Sequence, residues 1–351
     1  MDRAQPSPSP DGIPATRWMD LVLEGGGVKG IALAGALEVL EERGYRANRV
    51  AGSSAGAIAG ALITADIPAS RIVEILQQTD YRAFEDGPFS TRFLLGKAWS
   101  ILWHNGIHPG RAVAGWLEEQ LRTHGRPGRT GTFADLRYRE PDPTVSTSEE
   151  PQFRLVVTAS DLSAGVLRFL PRDAPAYGKD PDQLGVVEAV RASTSIPLFF
   201  RPVRWRTREG KRAYLVDGGM LSNFPVSVFD RPPGEVPRWP TFGIKLSARP
   251  EDHGGVVNAI RGPLSFGKAI VDTVTGFYDR MHIASSHSRA RTIFVDTAGI
   301  RPTQFDLSEE DREMLHRKGR EAATAFLDGS ADQEPWDFAR YIQRFRSGPR
   351  A

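Results

Sequence analysis

The stretch WMDLVLEGGGVKGIALAGALEVL, Trp18 to Leu40, carries an apolar run, a glycine-rich turn and a helical pattern in unbroken succession. Trp18 to Leu23 reads as a buried strand. Ile31 to Arg43 reads as an amphipathic helix, with Leu33, Leu37 and Leu40 on one face and Gly44 placed to close its C-terminus. Between them, Gly25, Gly27 and Gly30 fit the spacing of a dinucleotide-binding turn. Arg49 to Gly52 then supplies a second short strand. It leads into SSAGAIAGALITA, whose small side chains suit a helix laid closely on a sheet. Two β-turn-α units within the first 65 residues predict an α/β fold with a mainly parallel central sheet.

What the glycines bind is decided further along the chain. A dinucleotide fold needs an acidic residue at the end of its second strand to hold the ribose hydroxyls, and none stands there. The second strand runs instead into Gly52-Ser53-Ser54-Ala55-Gly56, the G-x-S-x-G pattern of a nucleophile elbow. This turn exposes the serine oxygen at the positive end of the following helix. A Walker loop is excluded as well, because Lys29 is followed by Gly30 and Ile31 with no hydroxyl for magnesium. With both motifs at the same edge of one parallel sheet, the amides of Gly25, Gly26 and Gly27 can face the Ser54 hydroxyl. Backbone donors so placed stabilise the oxyanion of acyl transfer.

Composition narrows the rest. The chain has 351 residues, 40% of them hydrophobic, enough for a sizeable core. Its apolar runs fall below the roughly 18 residues of a spanning helix. The absence of cysteine excludes disulfides, thiolate metal sites and a cysteine nucleophile. A net charge of +2 argues against a nucleic-acid partner. Basic residues nevertheless gather at Arg201, Arg204, Arg206, Arg208, Lys211 and Arg212, against the single acid Glu209. This segment reads as a hairpin, either merely solvated or facing an anionic surface.

A serine hydroxyl needs a base. One route is a histidine late in the chain, His253, His282 or His287. The other is a carboxylate. Ala213 to Val216 reads as a strand running into Asp217-Gly218-Gly219, followed by Asn223 and Pro225, which puts an acid at a strand end with two glycines allowing close approach. Asp161, in TASDL, reads as a turn carboxylate, and Glu24 receives no role. Ser308 and Asp311 stand in capping-box spacing at the start of a helix over Ser308 to Asp328.

Taken in order, EGGGVKG, GSSAG, ASTSIPLFF and VDGGMLSNFPV resemble the patatin-like phospholipase family over roughly residues 18 to 230. HNGIHPGRAVAGWLEEQL is similar to its middle section. The resemblance implies a three-layer α/β/α fold and a calcium-independent lipid acyl hydrolase with a Ser–Asp dyad, without cofactor or metal. Ser54 is then the nucleophile, Asp217 the base and Gly25, Gly26 and Gly27 the oxyanion loop. Lys29 stands where the family carries Arg or Lys, and Gly52, Gly56, Gly218 and Gly219 support the turns.

On this reading residues 1–16, rich in proline and serine, form a disordered leader and 17–300 a catalytic domain. Residues 81–150 make an aromatic cap and surface excursion, and 301–351 a helical extension. The expected partner is a lipid or membrane surface, met from the cytoplasm as a peripheral protein. Thioesterase or small-ester activity, and an effector silent until a protein or small-molecule activator binds, are the alternatives.

Overall fold

In the computed structural model, the described residues are 17–87, 100, 104–140, 152–232, 235–247, 262, 266, 269, 285–297, 299–331 and 333–346. The leader, part of the aromatic stretch including Phe89, Phe93, Trp99 and Trp103, the end of the surface excursion, His253 and His282 lie outside them.

The opening stretch folds as strand, turn and helix. Strand β1 (Arg17–Leu23) is buried from Met19 onward, as expected of a central parallel strand covered on both faces. Helix α1 (Gly30–Glu42) follows a single 3-10 turn at Gly27–Lys29. The amphipathic reading of α1 needs correction, because every residue from Gly30 to Leu37 is buried. The sheet covers one side and helix α7 (Glu309–Asp328) the other. These two helices touch nearly backbone to backbone, since a side-chain carbon at Gly35 or Gly319 would run into the facing helix. The capping box of α7 forms as its sequence predicts, with Ser308 and Asp311 exchanging hydrogen bonds.

Strand β2 (Tyr45–Gly52) lies parallel to β1, and helix α2 (Ala55–Thr64) leaves it at once. Helix α3 (Ala69–Gln78), the short strand β3 (Gly106–His108) and helix α4 (Arg111–His124) come next. Strands β4 (Leu155–Asp161) and β5 (Val166–Leu170) form a hairpin before helix α5 (Val186–Ser193). Strand β6 (Leu198–Phe200) pairs with β3, and β7 (Val203–Arg206) and β8 (Arg212–Asp217) form the basic hairpin. Strands β9 (Thr241–Lys245) and β10 (Thr292–Phe294) complete the parallel run β10-β9-β1-β2-β4. Helices α6 (Ser286–Ala290) and α8 (Phe338–Phe345) follow late in the chain and meet through His287 and Tyr341. The result is a mixed α/β fold around a mostly parallel sheet.

The register along β4 positions the site. Val157 pairs with Gly52 of β2 and with Leu170 of β5, so those strands lie along opposite edges of β4. Ala159 and Asp161 pair with β5 and, on the other edge, with Asp217 and Leu215 of β8. Strands β2 and β8 therefore follow one another along a single edge of β4. One runs parallel to it and the other antiparallel, and their C-terminal ends meet beside Thr158.

Candidate active site

The chain turns sharply where β2 ends. Ser54 sits at φ +50°, a conformation that side chains rarely adopt, and α2 begins at the next residue. Strain of this kind persists only where the surroundings hold it. The Ser54 amide donates to Ser193 Oγ at 2.9 Å. A side chain at Gly52 would run into Gly56, and one at Gly56 into the Leu23 carbonyl, so the turn has room only for glycine at both positions. Ser53 points to the other side of the turn, where its hydroxyl bonds Thr158 and donates to the Ser222 carbonyl at 3.0 Å. The x position of the elbow is thus a structural pin.

Asp217 ends β8 facing that turn. It is 6% exposed, its amide donates to the Ser195 carbonyl at 2.9 Å, and its carboxylate accepts from the Gly219 amide at 2.8 Å. Burial pushes the Asp217 carboxyl up to about 6, against the pull of the nearby Ser54 hydroxyl and the Gly219 amide. Gly218 lets the chain pass close over Thr158 and Ser53, and Gly219 leaves space for Asn223.

The glycine loop divides its work unequally. The Gly25 amide donates to the Asn223 carbonyl at 3.3 Å, and the Gly25 carbonyl accepts from Asn223 Nδ2 at 3.0 Å. Gly25 is therefore an anchor. The amides of Gly26 and Gly27 donate to no acceptor among the described residues. Gly27 takes φ +56°, and the Pro302 carbonyl, which accepts from the Val28 amide at 3.1 Å, lies where a side chain of residue 27 would be.

Two residues of the loop's support were not assigned from sequence. Glu24 is buried, pairs with Lys245 Nζ and accepts from the Leu246 amide. Asn223 ties the chain after Asp217 to Gly25. The signal for Asn223 was its place in VDGGMLSNFPV; Glu24 had only its adjacency to the glycines. Lys29 belongs to the same charged group: burial lowers its pKa, while Glu24 and then Asp296 oppose that shift.

Of the histidine candidates, His287 lies against α8. Its Nε2 is 2.6 Å from the Tyr341 hydroxyl, and burial, reinforced by Arg291, lowers its pKa to about 4. Asp161 accepts from the Ser163 and Ala164 amides and from the Tyr177 hydroxyl, so it is a turn carboxylate as read. Among the described residues, no three of His, Cys, Asp and Glu converge in a way that could hold a metal ion, and no helix is long and apolar enough to cross a membrane. A cavity of about 910 Å³ lies at the opposite edge of the sheet, against Trp18, Asn48 and Arg154. Asp66 draws in three of its arginines there, Arg126, Arg129 and Arg154.

A G-x-S-x-G turn at the end of only the second strand, with Asp217 closing an antiparallel strand beside it, departs from the ordinary α/β-hydrolase order. It is a different layout of the α/β ester-hydrolase class. The chain belongs to the patatin-like phospholipase family, whose model matches residues 21–230. It is 36% identical over 311 residues to the uncharacterized protein YqhO of Bacillus subtilis (strain 168), covering 88% of this chain and 98% of that one. Among solved structures it is similar to VipD from Legionella pneumophila, with TM-score 0.46 and 16% identity over 91% of this chain and 68% of the other. It is also similar to ExoU in the heterodimeric ExoU–SpcU complex of the Pseudomonas aeruginosa type III secretion system. There the TM-score is 0.37 and the identity 17%, over 95% of this chain and 53% of the other.

Proposed function

We propose that this chain is a serine acyl hydrolase of the phospholipase A type, cleaving acyl esters of glycerophospholipids through a Ser54–Asp217 dyad. Ser54 Oγ attacks the ester carbonyl as Asp217 takes its proton. The carbonyl oxygen becomes an oxyanion that the Gly26 and Gly27 amides meet in place of water. Collapse breaks the ester bond, and the leaving lysophospholipid alkoxide receives the proton held by Asp217. A water molecule, deprotonated by the same carboxylate, then attacks the acyl-enzyme, and the fatty acid leaves as Ser54 regains its proton. Gly52, Gly56, Gly218 and Gly219 permit the close approach of the two strand ends. Glu24, Lys29 and Asn223 hold the loop, and the chemistry calls on no metal or cofactor.

The observation that carries the reading is the placement of Ser54 and the buried Asp217 at the two strand ends that meet along one edge of β4. A carboxylate whose pKa is raised to about 6 is ionised at neutral pH and is a stronger base than an ordinary aspartate. The test is labelling with a fluorophosphonate, followed by product profiling on glycerophospholipids, acyl thioesters and short-chain esters. Labelling that disappears in Ser54→Ala, with release of fatty acid from phospholipids by the wild type, is the expected result. Labelling retained in Ser54→Ala overturns the dyad, and turnover of thioesters alone overturns the substrate class.

A further inference from the structure

The antiparallel strands that deliver Asp217 also project beyond the rest of the sheet. From Asp217, level with Ala159, β8 runs back to Arg212, five residue steps or roughly 16 Å at about 3.3 Å per residue. Its turn and the tip of the β4–β5 hairpin lie at the same end. They are stitched together: the Leu162 amide donates to the Tyr214 carbonyl at 3.0 Å, and the Tyr214 amide to Ser163 Oγ at 3.0 Å.

The side chains these tips present are of two kinds. Pairing of Arg204 with Tyr214 and of Arg206 with Arg212 places all four on one face of the β7–β8 hairpin, by strand alternation. The alternate residues Trp205, Ala213 and Leu215 are buried. Arg204 lies over the Tyr214 ring. Arg208 and Lys211 follow in the exposed turn. None of these five cations is ion-paired with a carboxylate among the described residues, and the only acid of the segment is Glu209. Beside them Leu162 is 47% exposed and Val166 37%, two of five large hydrophobic side chains so exposed among the described residues.

Resting on the acyl-hydrolase reading, we propose that the β4–β5 and β7–β8 hairpin tips form a docking face for an anionic phospholipid bilayer. Five cations held in no ion pair, with only the exposed Glu209 carboxylate near Lys211 and Arg208, complement phosphate-bearing head groups, and the adjacent Leu162 and Val166 enter the acyl boundary. A protein held this way turns the C-terminal edge of its parallel sheet, where Ser54 lies, toward the source of substrate. The attraction is electrostatic and screened over about 8 Å at physiological salt.

The experiment separates docking from catalysis by measuring both. Co-sedimentation uses Ser54→Ala protein with vesicles of phosphatidylcholine alone or with one-third phosphatidylglycerol, at low and high salt. Turnover of a soluble short-chain ester is followed in parallel with Ser54 intact. Binding is expected only to the anionic vesicles and is expected to fall steeply with salt. Each cation removed should weaken it about fivefold, so Arg204→Gln/Arg206→Gln/Arg212→Gln should lose on the order of a hundredfold. Ester turnover should be unchanged in that variant. Arg208→Glu/Lys211→Glu, confined to the turn, should show the same pattern without touching a strand, and Leu162→Asp should weaken binding at every salt concentration. Equal binding to neutral vesicles, or unchanged binding in both charge variants, overturns the docking face while ester turnover leaves the hydrolase reading standing. Salt-sensitive vesicle binding without ester turnover supports the docking face and removes the hydrolase reading instead.

Discussion

Replacing Asp217 by asparagine should make the protein more stable at neutral and alkaline pH while removing most of its turnover. Burial raises the carboxyl from its ordinary 3.8 to about 6. Below 3.8 the group is protonated in both the folded and the unfolded chain, so it contributes no difference. As pH rises from there the unfolded chain releases the proton and the folded chain retains it, and stability is lost until the folded group ionises near 6. Above that the loss is complete, at about 3 kcal/mol from 1.36 kcal/mol per pH unit. Asparagine keeps the shape, its Oδ1 can still accept from the Gly219 amide, and it never carries charge. Asp217→Asn is therefore expected to exceed the wild type by up to about 3 kcal/mol at pH 8, a Tm difference of a few degrees, and by little at pH 4. Because only the ionised carboxylate can take the Ser54 proton, wild-type kcat/KM on a soluble ester should fall about tenfold per pH unit below about 6. The variant should lose on the order of 10²–10⁴ in rate. Urea or thermal unfolding at pH 4, 6 and 8 reads the first effect and steady-state kinetics the second. An asparagine variant no more stable than the wild type at pH 8, or one whose advantage grows as pH falls, would refute the reasoning.

Ser53→Ala should keep fluorophosphonate labelling and much of the turnover, yet lose about 1–3 kcal/mol of stability in urea titrations, since it leaves buried partners at Thr158 and Ser222 unmatched. Labelling lost in Ser53→Ala but retained in Ser54→Ala would exchange their roles. Gly27→Ala forces a side chain into a φ of +56° and against Pro302. It should reduce kcat on the order of 10²-fold or more through the displaced loop amides, and wild-type kcat in that variant would remove Gly27 from the oxyanion site. Replacing His287 should leave ester turnover within a few fold, because its ring is occupied by Tyr341; a collapse like that of Asp217→Asn would restore a histidine base. Turnover should also survive EDTA, and loss on chelation that calcium restores would contradict the metal-free mechanism.

The two βα turns, the elbow at Ser54 and the acid at a strand end were legible in the sequence because each is short-range. Strand-to-helix turns require glycine where backbones touch, and those glycines lie within a few residues of the serine they serve. The capping box of α7 and the turn carboxylate Asp161 were legible for the same reason. What the tertiary structure decided is long-range. That Ser54 and Asp217 come to adjoining strand ends depended on β2 and β8 sharing one edge of β4, a register that neither strand's residues specify alone. The glycines alike in sequence became unlike in place, since Asn223 takes the Gly25 amide and leaves those of Gly26 and Gly27 open among the described residues. Glu24 acquired its role from Lys245, 221 residues away, and α1 lost its amphipathic character only because α7 covers its outer face. The raised pKa of Asp217 belongs to this second group as well. It arises from burial, and burial is a property of every element that surrounds a side chain rather than of the neighbours it has along the chain.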